Sequence, residues 1–76
     1  MAANPDLLAA LVEYLDGMIA DNQSQIDAMK AGMRIRECGP DTGNEWHDIT
    51  DARIRWLEGK NTSHRNLIER VRKDYA

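Results

Sequence analysis

The sequence predicts an all-α protein: a long antiparallel two-helix hairpin of coiled-coil type that dimerises into a four-helix bundle. Three observations predict it. One apolar-biased line runs Leu8, Val12, Leu15, Ile19, Asn22, Ile26, Met29, Met33, and a second runs Thr50, Ile54, Leu57, Asn61, His64, Ile68, Val71, Tyr75. Both advance in steps of four and three, the spacing of a single helical seam. Between them lies Cys38-Gly39-Pro40-Asp41-Thr42-Gly43, with the Gly and Pro that end helices. Folding the chain there pairs the lines in mirror order. Met33 meets Thr50, Ile26 meets Leu57, Asn22 meets Asn61, Ile19 meets His64, and each pair of numbers sums to 83.

The first helix is predicted over residues 5–38. Asn4 caps, Pro5 occupies the first helical position, where its missing N–H costs nothing, and Asp6 favours the positive end of the dipole. Gly17 and Gly32 weaken this helix by about 1 kcal/mol each without stopping it. Gly39 then serves as left-handed cap and Pro40 blocks continuation, leaving a hinge at 39–42. Thr42 and Glu45 read as a capping box, so the second helix is predicted over 43–75. Asp48 or Thr50 as cap would lengthen the hinge. No stretch alternates with period two, so strands are not expected.

The flanks of the seam differ. On one, Ala9, Asp16, Gln23 and Lys30 face Asp51, Glu58, Arg65 and Arg72. Antiparallel pairing places Asp16 between Arg65 and Arg72, and Lys30 between Asp51 and Glu58, all of opposite sign. The other flank is apolar: Leu7, Leu11, Tyr14, Met18, Ala28, Gly32 and Ile35 beside Trp46, Ile49, Trp56 and Leu67. Soluble monomers rarely leave so continuous an apolar surface exposed, and Trp is over-represented at interface hot spots. Leu7, Leu11, Tyr14, Met18, Ile35, Trp46, Ile49, Trp56 and Leu67 are therefore the candidate partner or dimer face. Asn22, Asn61 and His64 form a polar layer of the kind that fixes register and oligomer state.

Composition bounds the function. Seventy-six residues make one domain over 1–76, with a core so small that a partner subunit is expected. The net charge of −3 is not that of a strong nucleic-acid binder. Arg53, Arg55, Arg65 and Arg72 are interleaved with Glu58, Glu69 and Asp74, and mixed charge on a helix is usually a solvated face. A nucleic-acid-binding hairpin dimer using those arginines is one alternative. A second is a small bundle enzyme built on the mid-hairpin belt of Asp21, Lys60 and His64.

Cys38, His47, Asp48 and Asp51 match no metal signature. Asn61-Thr62-Ser63 is a formal glycosylation sequon read as chance. With no phosphate loop, paired cysteines or nucleophile elbow, neither cofactor nor metal is expected. A single cysteine and no signal-like N-terminus predict a cytoplasmic protein, and the acids Asp6, Glu13 and Asp16 exclude a membrane span from residues 6–20. The resulting expectation is a non-enzymatic regulator, an adaptor or inhibitor of phage or mobile-element type, whose partners are itself and another protein.

Overall fold

The computed structural model describes residues 4–75, the side chain of Thr42 apart. Two helices, α1 (Pro5–Lys30) and α2 (Thr50–Tyr75), pack antiparallel. The segment joining them holds two short strands, β1 (Arg36–Glu37) and β2 (His47–Asp48), and a 3-10 turn at Pro40–Thr42. The hairpin is all-α as predicted, and the strand pair is an addition to it. Each helix has 26 residues, hence about 39 Å of rise. The molecule measures 54 × 27 × 16 Å, a single layer of two helices.

The N-terminus of α1 forms as its residues dictate. The Asn4 side chain accepts from the backbone N–H groups of Asp6 (2.9 Å) and Leu7 (3.4 Å), with Pro5 at the first helical position. The other end departs from expectation. α1 stops at Lys30, not residue 38, because Gly32 adopts φ +123. The Gly32 N–H donates to the Met29 carbonyl and the Met33 N–H to the Ala28 carbonyl, at 3.2 and 3.0 Å. That reciprocal pair is a Schellman cap, with Gly at the residue that must turn left-handed. The left-handed residues of the connection are Gly32, Gly43 and Asn44, not Gly39.

α2 also starts late, at Thr50 and not residue 43. The hinge expected at 39–42 is therefore a connection spanning 31–49. Asp48 supplies the cap: its Oδ1 accepts from the Thr50 N–H at 2.9 Å and from the Thr50 hydroxyl at 2.6 Å. The capping box at Thr42 and Glu45 is not the start of the helix, and the Thr42 side chain lies outside the described part. β1 pairs antiparallel with β2, Arg36 with Asp48 and Glu37 with His47. His47 thus stands opposite Glu37, not Arg36 as the seam pattern implied. Two residues per strand are too few to show an alternating pattern, which is why sequence gives no sign of them.

The core sits along the predicted seam. Among the described residues the buried ones are Leu15, Ile26, Met29, Leu57, Ile68 and Val71, with Thr50 and Asn61 as buried polar groups; all eight lie on the two apolar lines. Ile26, Met29 and Leu57 form its centre, with Ile35 and Ile54 packed against them. Met33 does not reach the seam, because the chain has already left the helix; it is exposed. Thr50, its expected partner, is covered instead by the β1 end of the connection, where its hydroxyl accepts from the Ile35 N–H at 2.8 Å.

The glycines give a stability test. A methyl group at Gly17, Gly59 or Gly32 meets nothing within 4 Å, so backbone conformation alone decides the sign. Gly17→Ala and Gly59→Ala, in helix interiors, should each stabilise by about 0.5–1 kcal/mol. Gly32→Ala should destabilise by about 1–2 kcal/mol, since only Gly takes φ +123 without strain. Thermal melts of the three variants check the opposite signs. A stabilised Gly32→Ala would mean that α1 continues past Lys30.

Candidate protein-binding face

The register that sequence assigned is held by side chains. Asn22 Nδ2 donates to Asn61 Oδ1 at 3.0 Å, and Asn61 Nδ2 donates to the Ile19 carbonyl at 3.3 Å. A buried amide with both ends bonded fixes one alignment, because sliding the helices by a turn would orphan it. On the charged flank Lys30 Nζ lies 3.5 Å from a Glu58 carboxylate oxygen, and Asp16 lines one groove with Arg65 and Arg72. These exposed pairs contribute about 0–1 kcal/mol each and act mainly to select the pairing.

Since those contacts identify one flank, helical geometry assigns the other. The α1 stripe Leu7, Leu11, Tyr14 and Met18 lies there, with Trp56 and Leu67 across on α2. Leu7 is 67 % exposed, Tyr14 65 % and Trp56 53 %, and Leu11 and Leu67 are also exposed; Met18 is half-buried. Trp56 is framed by cations, with Arg53 and Lys60 at 5.3 and 5.1 Å from its ring centroid. Such cation–π contacts hold the indole in place, and about half of the residue stays open to solvent.

Three residues assigned to this face lie outside the two helices. Ile35 is half-buried against the Ile26–Met29–Leu57 cluster. Ile49 is half-buried in the connection, its N–H donating to the Ile35 carbonyl at 2.9 Å. Trp46 is 70 % exposed but sits in the connection before β2, not on α2. All three misplacements have one cause: the helices are shorter than their apolar pattern. The residues that sequence reading undervalued are Arg34 and Asp48. Arg34 Nε donates to Asp48 Oδ2 at 2.8 Å, and Nη2 reaches the same oxygen at 2.8 Å. Donation from the Thr50 hydroxyl and then its N–H, followed by Arg34, holds the Asp48 carboxyl down to about 2 from the usual 3.8. An Asp two residues before a Thr that opens a helical run was the available signal.

The alternative sites are not gathered in the same way. Arg65 and Arg72 line the charged-flank groove beside Asp16 and Glu69. Arg55 lines a second groove with Lys30, Arg34 and Asp51, and Arg53 lies against Trp56. The four arginines do not form one stripe. In the polar belt, Lys60 is turned towards Trp56 and His64 towards the seam. His64 Nε2 is buried with no hydrogen-bond partner. An orphaned buried polar atom is a net cost, so His64→Leu should raise stability by about 1–2 kcal/mol. A lower melting temperature for this variant would mean that the nitrogen bonds a ligand or a partner in solution. Among the described residues, no three His, Cys, Asp or Glu side chains converge as a metal site would need. Among the same residues, no helix is long and apolar enough to cross a membrane.

At the open end of the hairpin the seam widens into a groove of about 470 Å³ between Pro5, Leu8, Ala9 and Val12 on one side and Val71 and Tyr75 on the other. No known protein family matches the chain, and neither a curated protein nor a solved structure matches it.

Proposed function

We propose that this chain is a small non-enzymatic regulatory protein, an adaptor or inhibitor, that works by binding protein through the apolar flank of its hairpin. One observation carries the proposal: Leu7, Leu11, Tyr14, Trp56 and Leu67 are all exposed on the flank opposite the salt-bridged one. Apolar side chains of this size, aligned on two neighbouring helices, suit the helix-on-helix packing of a bundle. The exposed thiol of Cys38 fits a reducing compartment such as the cytoplasm.

Photo-crosslinking separates this function from its rivals. A light-activated residue at Leu11 of the intact protein should trap a polypeptide, either a second copy or another chain. The same probe at Asp27, on the outer face of α1, should trap far less. Equal trapping at both positions, or nucleic acid trapped at Leu11, contradicts a protein-binding flank.

A further inference from the structure

Helix boundaries redraw the charge map. Within the limits of α1, five acids accompany one base; within α2, four acids accompany seven bases. The hairpin is therefore an acidic rod beside a basic rod, a contrast hidden when the chain is divided at its midpoint. We propose, given that the apolar flank is a protein interface, that its occupant is a second copy of this chain, packed with both connections at the same end. In that arrangement the two-fold axis runs along the hairpin's length. Each α1 then lies on the partner's α2.

Area supports a second copy. The chain exposes 5890 Å² for a mass of 8.6 kDa, where a compact monomer of that mass exposes about 4,700 Å². The excess of roughly 1,200 Å² exceeds the about 800 Å² that each partner buries in a standard interface. The radius of gyration is 17.1 Å against about 11.4 Å for a compact chain of this length. A single layer 16 Å thick has no second layer to cover its apolar flank. A matching layer completes the two-layer architecture that domains adopt.

Charge selects the orientation. The Asn22–Asn61 bond places Asp21 and Lys60 within a helical turn of one level, near the middle of the flank and on opposite helices. With connections at the same end, each Asp21 faces the partner's Lys60, and every helix stands between two of opposite charge. Turned end for end, the partner puts α1 on α1 and α2 on α2. Asp21 then meets Asp21, Lys60 meets Lys60, and like-charged rods are neighbours, which selects against that pairing. Side-chain size at two levels agrees with the first orientation. The register sets Trp56 level with Ala28, and Met18 near the level of Ser63, so these two large side chains each face a small one across the two-fold. Recognition of a further target then falls to the outer faces and the ends of the dimer.

Two measurements test this. Asp21→Lys and Lys60→Asp should each weaken self-association roughly tenfold or more, since each sets like charges together twice. An equimolar mixture of the two variants should restore it, because every facing pair is again opposite. The double variant should associate as the wild type does. In the wild type, nitroxide labels on the single exposed cysteine, Cys38, should lie closer together than half the 54 Å length of the hairpin. A label separation approaching the full length, with single reversals that leave association unchanged, would overturn the orientation. A wild type that stays monomeric at every concentration would overturn the second copy. In that case crosslinks from Leu11 to another polypeptide would leave the protein-binding flank standing, and no polypeptide crosslink at all would remove both.

Discussion

Ile26→Ala should unfold most of this protein near room temperature. Ile26 is 1 % exposed and packs at the centre of the Ile26–Met29–Leu57 cluster. Truncating a buried isoleucine costs about 2–5 kcal/mol, from lost transfer energy and from the cavity that remains. A core of this size rarely supplies more than about 3–5 kcal/mol in total, so the loss matches the whole margin. The fully buried large side chains are few, and no second layer of the same chain can close over the gap. Far-UV circular dichroism during heating checks it. The variant should lose most of its helical signal or its cooperative transition, while Tyr14→Ala, on the exposed flank, keeps the hairpin folded. A melt unchanged by Ile26→Ala would mean that the seam is not the core.

Thr50→Val carries the second large effect, although valine nearly matches threonine in shape. Thr50 is completely buried, and its hydroxyl accepts from the Ile35 N–H while donating to Asp48. Valine leaves that N–H without its acceptor, at a cost of about 1–3 kcal/mol. It also weakens the start of α2, because Asp48 keeps only the backbone N–H of residue 50 and Arg34 as partners. The consequence extends to pH. A carboxyl whose folded pKa lies at about 2, against 3.8 ordinarily, contributes stability fully present above 3.8 and lost as pH falls towards about 2. The wild type should therefore lose that contribution between about pH 4 and pH 2. Thr50→Val should show a smaller acid-dependent loss, and Asp48→Asn none from this site. An NMR titration of the Asp48 carboxyl reads the cause directly. A midpoint still near 2 in Thr50→Val would assign the effect to the backbone N–H of residue 50 and to Arg34, and not to the hydroxyl.

Sequence and structure agree where the physics repeats and part where it is local. The seam was legible because each helix contributes seven or eight residues to one pattern, and the sum of paired numbers does not depend on where the helices end. The pairings of Asn22 with Asn61 and of Lys30 with Glu58, and the Asn4–Pro5 start, all follow from such signals. Even the fold point between Asp41 and Thr42 lies within the turn at Pro40–Thr42. The helix ends were not legible. A glycine inside a helix costs only about 1 kcal/mol, so Gly32 reads as a tolerated weak point, and Gly39-Pro40 offers a stronger stop a few residues later. The Schellman cap that favours Gly32 depends on hydrogen bonds from Gly32 and Met33 that form only once the chain turns back.

The same error displaced part of the candidate site. Ile35, Ile49 and Trp46 were placed by extending a helical period into a segment that is a short strand pair with its flanking turns. Leu7, Leu11, Tyr14, Met18, Trp56 and Leu67 lie inside α1 and α2, where the helical period that placed them applies. The acidic and basic characters of α1 and α2 became visible only when the connection, with its four acids and two bases over residues 31–49, was removed from both.

Molar mass in solution tests the covered flank most directly. Light scattering after size exclusion, from low to high micromolar concentration, should give about twice the chain mass of 8.6 kDa for the wild type. Trp56→Asp, with its helical signal intact, should return it to the mass of one chain. A wild-type mass of one chain at every concentration, unaltered by Trp56→Asp, would contradict a flank covered by a second copy.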